Sequence, residues 1–145
     1  MLVVLLIWNR THLPTSPISS QGQTGQKAKV AATATPALPP PDQPVVEIQA
    51  VIVPGDLNSE RVLIRSVWNE AINLSGWKVS SAKGQEFTFP TITLFPGGAI
   101  ALYSRSGQNT ANEIYWGLEQ PAWSNGSKVT LYDSSGNTRV EYTIP

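Results

Sequence analysis

LSGWKVSSAKGQEFTFPTITLFPGG, residues 74–98, sets one tryptophan and three phenylalanines among short polar turns. Two accounts compete for such spacing: aromatic rings gathered on a binding or catalytic surface, or the inward faces of a small sandwich. Alternation favours the second. Residues two apart on a strand share a face, so QEFTF puts Phe87 and Phe89 together, and Trp77 has Val79 and Leu74 as apolar neighbours. A buried aromatic of about 150–250 Å² dominates a small core, which places Trp77 at the centre. Gly76 is expected to let the backbone pack beside that ring, while Gly84 and Pro96-Gly97-Gly98 read as turns. A phosphate loop would need Lys-Ser/Thr opening a helix after the glycines, whereas Ala99-Ile100 follows here.

The same two-residue period extends outward in both directions. VVEIQAVIV (45–53) alternates Val46, Ile48 and Ala50 against Glu47 and Gln49, then stops at Pro54-Gly55. ERVLIRSV (60–67) sets Val62, Ile64 and Ser66 against Leu63, Arg65 and Val67, and AIALYS (99–104) sets Ala99, Ala101 and Tyr103 against Ile100 and Leu102. SKVTLYD (127–133) and TRVEYTI (138–144) flank DSSGN, a hairpin turn in which Gly136 and Asn137 are available for positive φ. Strands at intervals of about ten residues, with no helical period among them, describe an all-β antiparallel sandwich of about seven to nine strands.

Ahead of the strands, MLVVLLIW (1–8) is apolar. As a helix it would cover ~12 Å, against ~30 Å for the hydrocarbon core of a bilayer. It lacks the basic residues that open a secretory signal and a small-x-small cleavage site directly after it. Three readings stay open: the start of the chain lies inside a longer transmembrane helix or signal, the segment is a short interfacial anchor, or its apolarity is incidental. Residues 9–44 are rich in Pro, Thr, Ser, Gln and Ala. Such a composition does not bury enough apolar area to offset about 1–2 kcal/mol of backbone entropy per ordered residue. They are expected to form a disordered linker ending in the stiff ALPPPDQP, with the domain over 45–145. An apolar start followed by a Pro/Thr-rich stalk is the layout of surface-tethered bacterial modules, so membrane attachment through the N-terminus and an envelope or extracellular location are expected.

Charge and composition narrow the chemistry. The chain is formally neutral, and residues 45–145 carry seven bases against nine acids, a net −2. A nucleic acid is therefore a disfavoured partner. Cysteine is absent, which removes disulfides, thiolate nucleophiles and thiol-ligated metals. The one histidine, His12, lies in the linker, so no Ser-His-Asp arrangement forms within the domain. Glu70, Glu86, Glu113, Glu119 and Glu141 are scattered over different elements, with nothing to pair two of them at glycosidase separations. Residues 133–137 offer too few oxygen ligands for calcium. No enzyme, cofactor or metal is expected.

Six motifs occur in a fixed order: Leu74-Ser75-Gly76-Trp77, Phe87-Thr88-Phe89-Pro90, Leu94 to Gly98, Glu113-Ile114-Tyr115-Trp116-Gly117, Trp123-Ser124-Asn125, and Val129 to Gly136. Together they resemble the lamin-tail domain, an immunoglobulin-like module found at the end of nuclear lamins and in many bacterial and archaeal proteins. Departures are small: Glu113 stands for the usual Asp, Ser124 for Asn, and SNGSK (124–128) for an acidic loop. That last change weakens any cation site there. The resemblance implies an immunoglobulin-like fold and an interaction module rather than an enzyme. No heptad rod precedes the domain, and YTIP is not a prenylation box.

Candidate binding residues come from the irregular stretch 104–127. Tyr115, Trp116 and Trp123 are aromatic and lie where the strand period lapses, with Arg105 and the amides of Asn109, Asn112 and Asn125 beside them. The competing reading has the tryptophans plugging the gap between the sheets. The leading expectation is an extracytoplasmic interaction or adhesion module for a protein or another cell-envelope component. The alternative is glycan binding through Tyr115, Trp116 and Trp123.

Overall fold

The computed structural model describes residues 37–145; the apolar segment 1–8, His12 and linker residues up to 36 lie outside them. Ten strands follow one another: β1 (Val46–Ile52), β2 (Arg61–Ser66), β3 (Ile72–Asn73), β4 (Lys78–Ser81), β5 (Glu86–Thr88), β6 (Thr93–Leu94), β7 (Ala99–Tyr103), β8 (Glu113–Tyr115), β9 (Lys128–Tyr132) and β10 (Thr138–Thr143). They build an immunoglobulin-like sandwich from a β1-β2-β7-β8 sheet, a β10-β9-β4-β5 sheet and a small β3-β6 pair. Among the described residues no helix is long and apolar enough to cross a membrane.

The stretch that decides the fold is more broken than alternation suggests. Residues 72–81 are two strands separated by a turn, not one. The Trp77 amide donates to the Leu74 carbonyl at 3.0 Å, and Gly76 takes φ +77°, the third-position conformation that a type II turn requires. Leu74 and Trp77 both end fully buried, one on each side of the turn. Gly76 is needed for this φ and not to make room beside Trp77: a Cβ there would meet Ser134 Cβ at an ordinary 3.5 Å. Phe95 to Gly98 repeats the device, with Gly97 at φ +71° and the Gly98 amide on the Phe95 carbonyl at 2.9 Å. In the β9–β10 hairpin, Gly136 alone takes positive φ; Asn137 does not.

Register then decides which residues form the core. Val51, Val62, Leu102 and Ile114 line up across β1, β2, β7 and β8, and all are buried. One row away, Ile48, Ile64 and Ile100 do the same. A register shift between Ile48 and Ala50 lets Ile48 and Val51 both point inward, because an extra residue reverses the alternation after it. Ala50, expected on the Val46 and Ile48 face, is displaced from the core by this bulge. The facing sheet contributes Val79, Val129 and Leu131, with Phe89, Trp77 and Trp123 between the layers. β8 runs parallel to β7, the exception to an otherwise antiparallel sandwich.

The folded unit begins ahead of Val45. Leu38 packs against the core. Arg139 on β10 donates from Nη1 to the carbonyls of Pro39 and Pro40 at 2.8 and 3.1 Å, and its Nε pairs with Asp133 at 2.8 Å. Prolines have no amide to place in a ladder, so this segment is held by its carbonyls instead. Residues 38–40, which composition assigns to the linker, are therefore held against the fold.

Candidate functional site

Three rows of side chains cover the outer face of the β1-β2-β7-β8 sheet. Ile52, Arg61, Tyr103 and Tyr115 form the first, and Ala50, Leu63, Ala101 and Glu113 the second. Glu47, Arg65 and Ala99 begin the third. These residues are half-buried in the first two rows and exposed in the third. Each is the outward neighbour of a core residue, as the two-residue period demands.

The tyrosines organise this face. Tyr103 and Tyr115 stack with centroids 5.0 Å apart and planes 13° from parallel, and both hydroxyls reach toward the Glu113 carboxylate at 3.4 Å. The Arg105 guanidinium lies 5.2 Å from the Tyr103 centroid and 5.0 Å from that of Tyr115, and the Arg61 guanidinium lies 5.5 Å from Tyr103. Cations at this range are attracted by the ring quadrupole. Gly107 is required here by close approach, since a Cβ would fall 2.3 Å from Tyr115 Cδ1.

Paired charges are distributed unevenly over the two sheets. Lys78 pairs with Glu86 at 3.4 Å, Lys128 with Glu141 at 3.1 Å, and Arg139 with Asp133. Lys83 donates to the Pro121 carbonyl at 2.7 Å. Among the described residues, Arg61, Arg65 and Arg105 are the arginines without an ion pair, and all belong to the tyrosine-bearing sheet or its immediate continuation.

Of the seven residues singled out in the sequence, the structure brings Tyr115 and Arg105 together, with Asn109 on the Tyr115 amide, and separates Trp116, Trp123 and Asn125 from that cluster. Trp123 is fully buried, packed 5.6 Å from Trp116, and its Nε1 has no hydrogen-bond partner. It is a core plug with no ring face open to a sugar. Trp116 is half-buried between Trp123 and Phe87, with the latter at 5.7 Å. Asn125 is exposed on the 124–127 turn, with no hydrogen bond to Arg105 or Tyr115. Asn109 is committed elsewhere: its Oδ1 accepts the Tyr115 amide at 2.9 Å. Thr110 accepts the Glu113 amide on Oγ1 and donates its own amide to the Glu113 carbonyl. The 105–112 loop thus caps the outer edge of β8, closing a row of backbone groups that would otherwise pair with a foreign strand.

Arg61 and Tyr103 are the members of this cluster that sequence reasoning did not single out. The signal existed: AIALYS already set Tyr103 on the face opposite Ile100 and Leu102. What was missing was the register that puts Arg61 on one side of it and Tyr115 on the other.

Glu60, also not singled out, anchors the irregular stretch from beneath. Its side chain is fully buried. Oε1 accepts from Ser104 Oγ at 2.5 Å and the Ala122 amide at 2.7 Å, while Oε2 accepts from the Gly55 amide at 2.8 Å and the Trp123 amide at 3.3 Å. One carboxylate therefore ties the β1–β2 loop, the end of β7 and the 116–127 connection together. With both oxygens engaged and no access, it serves as a fastening.

At the opposite end of the sandwich, an open cleft of about 520 Å³ is lined by Gly76, Lys78, Glu86, Tyr132 and the 133–136 turn. Its charges are already satisfied by the Lys78–Glu86 pair and by Asp133. The Asp133 Oδ1 accepts the Ser135 and Asn137 amides, and Oδ2 accepts Arg139 Nε. Burial pushes this carboxyl up, but the Asn137 amide, the Arg139 guanidinium, the Asn137 side chain and the Ser135 amide together hold it below its ordinary value. Among the described residues no group of three His, Cys, Asp or Glu could hold a metal ion.

Sandwich, turn glycines and paired tryptophans define an immunoglobulin-like β domain. The family model of the lamin tail domain matches residues 39–145, and the chain belongs to that family. The match begins at Pro39, the first residue that Arg139 holds. Among curated proteins none matches the chain significantly.

Proposed function

We propose that this domain is a non-catalytic interaction or adhesion module, displayed outside the cytoplasm at the cell envelope by its N-terminal segment. It takes a protein or envelope partner on the outer face of the β1-β2-β7-β8 sheet. One observation supports this most: among the described residues, the arginines without an ion pair all lie on this face or at its edge, two of them, Arg61 and Arg105, over a stacked tyrosine pair. Tyrosine and arginine are the residues on which interfaces concentrate binding energy, and stacking keeps both side chains ordered before a partner arrives. The capped β8 edge disfavours recognition by strand addition there and favours recognition through side chains on the face.

Photo-crosslinking tests the reading. A photoreactive phenylalanine analogue replaces Leu63, at the middle of the face, or Ser135, on the distant hairpin, and each protein is irradiated with envelope extract. A discrete adduct from position 63 that position 135 does not give is expected. Equal labelling from both positions, or none from either, would refute it.

A further inference from the structure

We infer that the tyrosine and arginine face recognises an acidic protein segment in which carboxylates flank an aliphatic side chain. The inference rests on the interaction reading above and names the chemistry of the partner.

Charge complementarity carries the argument. Arg61, Arg65 and Arg105 stand against Glu47 and Glu113 on this face, a net +1. The rest of residues 45–145 holds four bases and seven acids, a net −3. The domain is acidic as a whole and basic on the face where Tyr103 and Tyr115 stack. Arg61 donates from Nη1 to the Ser59 carbonyl at 3.1 Å, and Arg105 from Nη1 to the Ser106 carbonyl at 3.3 Å. A guanidinium has five N–H donors in a planar fork, so each retains the geometry for a carboxylate after that contact.

Spacing separates an acidic peptide from a polyanion. Arg61 and Arg65 lie four residues apart on β2, ~13 Å at ~3.3 Å per residue, with half-buried Leu63 midway and Ala101 beside it. A phosphodiester chain would bring closely spaced charge onto that apolar ground and against Glu47 and Glu113, where like charges oppose it. A peptide with carboxylates about four residues apart meets both arginines and sets an aliphatic side chain on Leu63.

Fluorescence anisotropy on the full 145-residue chain tests this with three labelled probes. They are a synthetic peptide of about ten residues with glutamates four apart around a leucine, its glutamine twin, and an oligothymidylate. The acidic peptide is expected to bind, the twin not. Arg61→Gln, Arg65→Gln and Arg105→Gln combined should weaken binding about tenfold, roughly twofold per arginine, with the melting temperature lower by only the few degrees that the lost Arg61 and Arg105 ring contacts account for. Arg65→Glu alone, at an exposed position, should act in the same direction. Equal binding of the two peptides, tighter binding of oligothymidylate, or binding indifferent to the arginine variants each overturns the inference. If the acidic peptide fails while position 63 still gives its discrete envelope adduct, the acidic chemistry falls and the interaction reading stands. If both fail, the reading falls with it.

Discussion

Replacing Glu60 by glutamine tests how the irregular half of the domain is held. The carboxylate accepts four hydrogen bonds, two per oxygen, from Ser104 Oγ and the amides of Gly55, Ala122 and Trp123. Glutamine has the same shape but only one oxygen. With the NH₂ on the Oε2 side, the Gly55 and Trp123 amides both lose their acceptor; with it on the Oε1 side, the Ser104 hydroxyl can turn to accept from it and only the Ala122 amide is stranded. An unsatisfied buried donor costs about 1–3 kcal/mol, so Glu60→Gln, settling in the second orientation, should destabilise the domain by about 1–3 kcal/mol. Total stabilities are about 5–15 kcal/mol, which makes this a large fraction. For a domain of about 100 residues, each kcal/mol moves the melting temperature by about 4–8 °C, and a loss of 3 kcal/mol would lower it by roughly 12–24 °C.

Urea unfolding followed by tryptophan fluorescence measures the free energy, and hydrogen exchange at the Ala122 and Trp123 amides shows where the structure loosens. Both amides should exchange faster in the variant, ahead of the β9 amides. Ser104→Ala supplies the comparison: it removes a donor together with its demand, so its cost should stay near 1–2 kcal/mol. The reasoning fails if Glu60→Gln lies within about 0.5 kcal/mol of the parent, the range of an ordinary surface change.

Four further outcomes follow from other positions. Val53 holds φ +46° while 49% exposed; Val53→Gly relieves about 1–2 kcal/mol of left-handed strain against about 0.5–1 kcal/mol of added chain entropy, so a melting temperature a few degrees higher is expected and a lower one refutes the strain. Asp133 has a depressed folded pKa, so its contribution is present above the ordinary value near 3.8 and is lost as pH falls through the folded value. Asp133→Asn should be less stable at neutral pH and show a shallower acid limb below about pH 4; an acid limb parallel to the parent's would contradict this. Arg139→Gln strands the buried Asp133 carboxylate, at about 3–5 kcal/mol, and should open residues 37–44 to limited proteolysis. Lys78→Gln, at a pair with both side chains about half exposed, should cost no more than about 1 kcal/mol.

Alternation carried most of the sandwich because each strand has one dry face. It placed Trp77 and Phe89 in the core, and it set Tyr103 outward from the burial of Ile100 and Leu102. It failed where a single residue changes the count. The β1 bulge passes the inward position from Ala50 to Val51, and no local residue type announces it. The Leu74–Trp77 turn is hidden from alternation because both of its ends are apolar, although Gly76 at the third position fits a type II turn. Glu60 was illegible for a different reason. Beside Arg61 it reads as the exposed start of a strand, while its partners Ser104, Ala122 and Trp123 lie 44, 62 and 63 residues away. Burial of a charge is decided by what the chain brings to it, and only the fold states that.

The residues that announce the fold and those that form the candidate face occupy opposite sides of the same strands. Val62, Ile64, Leu102 and Ile114 are fixed by packing against the other sheet, whereas Arg61, Leu63, Arg65, Tyr103 and Tyr115 alternate with them and face outward. Core packing restricts the first set to apolar shapes that fill the layer. It leaves the second set free to change provided the strand persists. A family match built on turn glycines and inward aromatics therefore identifies the scaffold and is silent about the partner, since a new outward row alters no core contact. Of the proposed face, Glu113 and Tyr115 fall within the family motif EIYWG, whereas Arg61, Leu63, Arg65, Tyr103 and Arg105 lie outside the six motifs. On the proposed reading, recognition falls to Arg61 and Arg105 over the Tyr103–Tyr115 stack, with Arg65 farther along the face, and substitution of the exposed Arg65 should change binding while leaving the unfolding transition where it was.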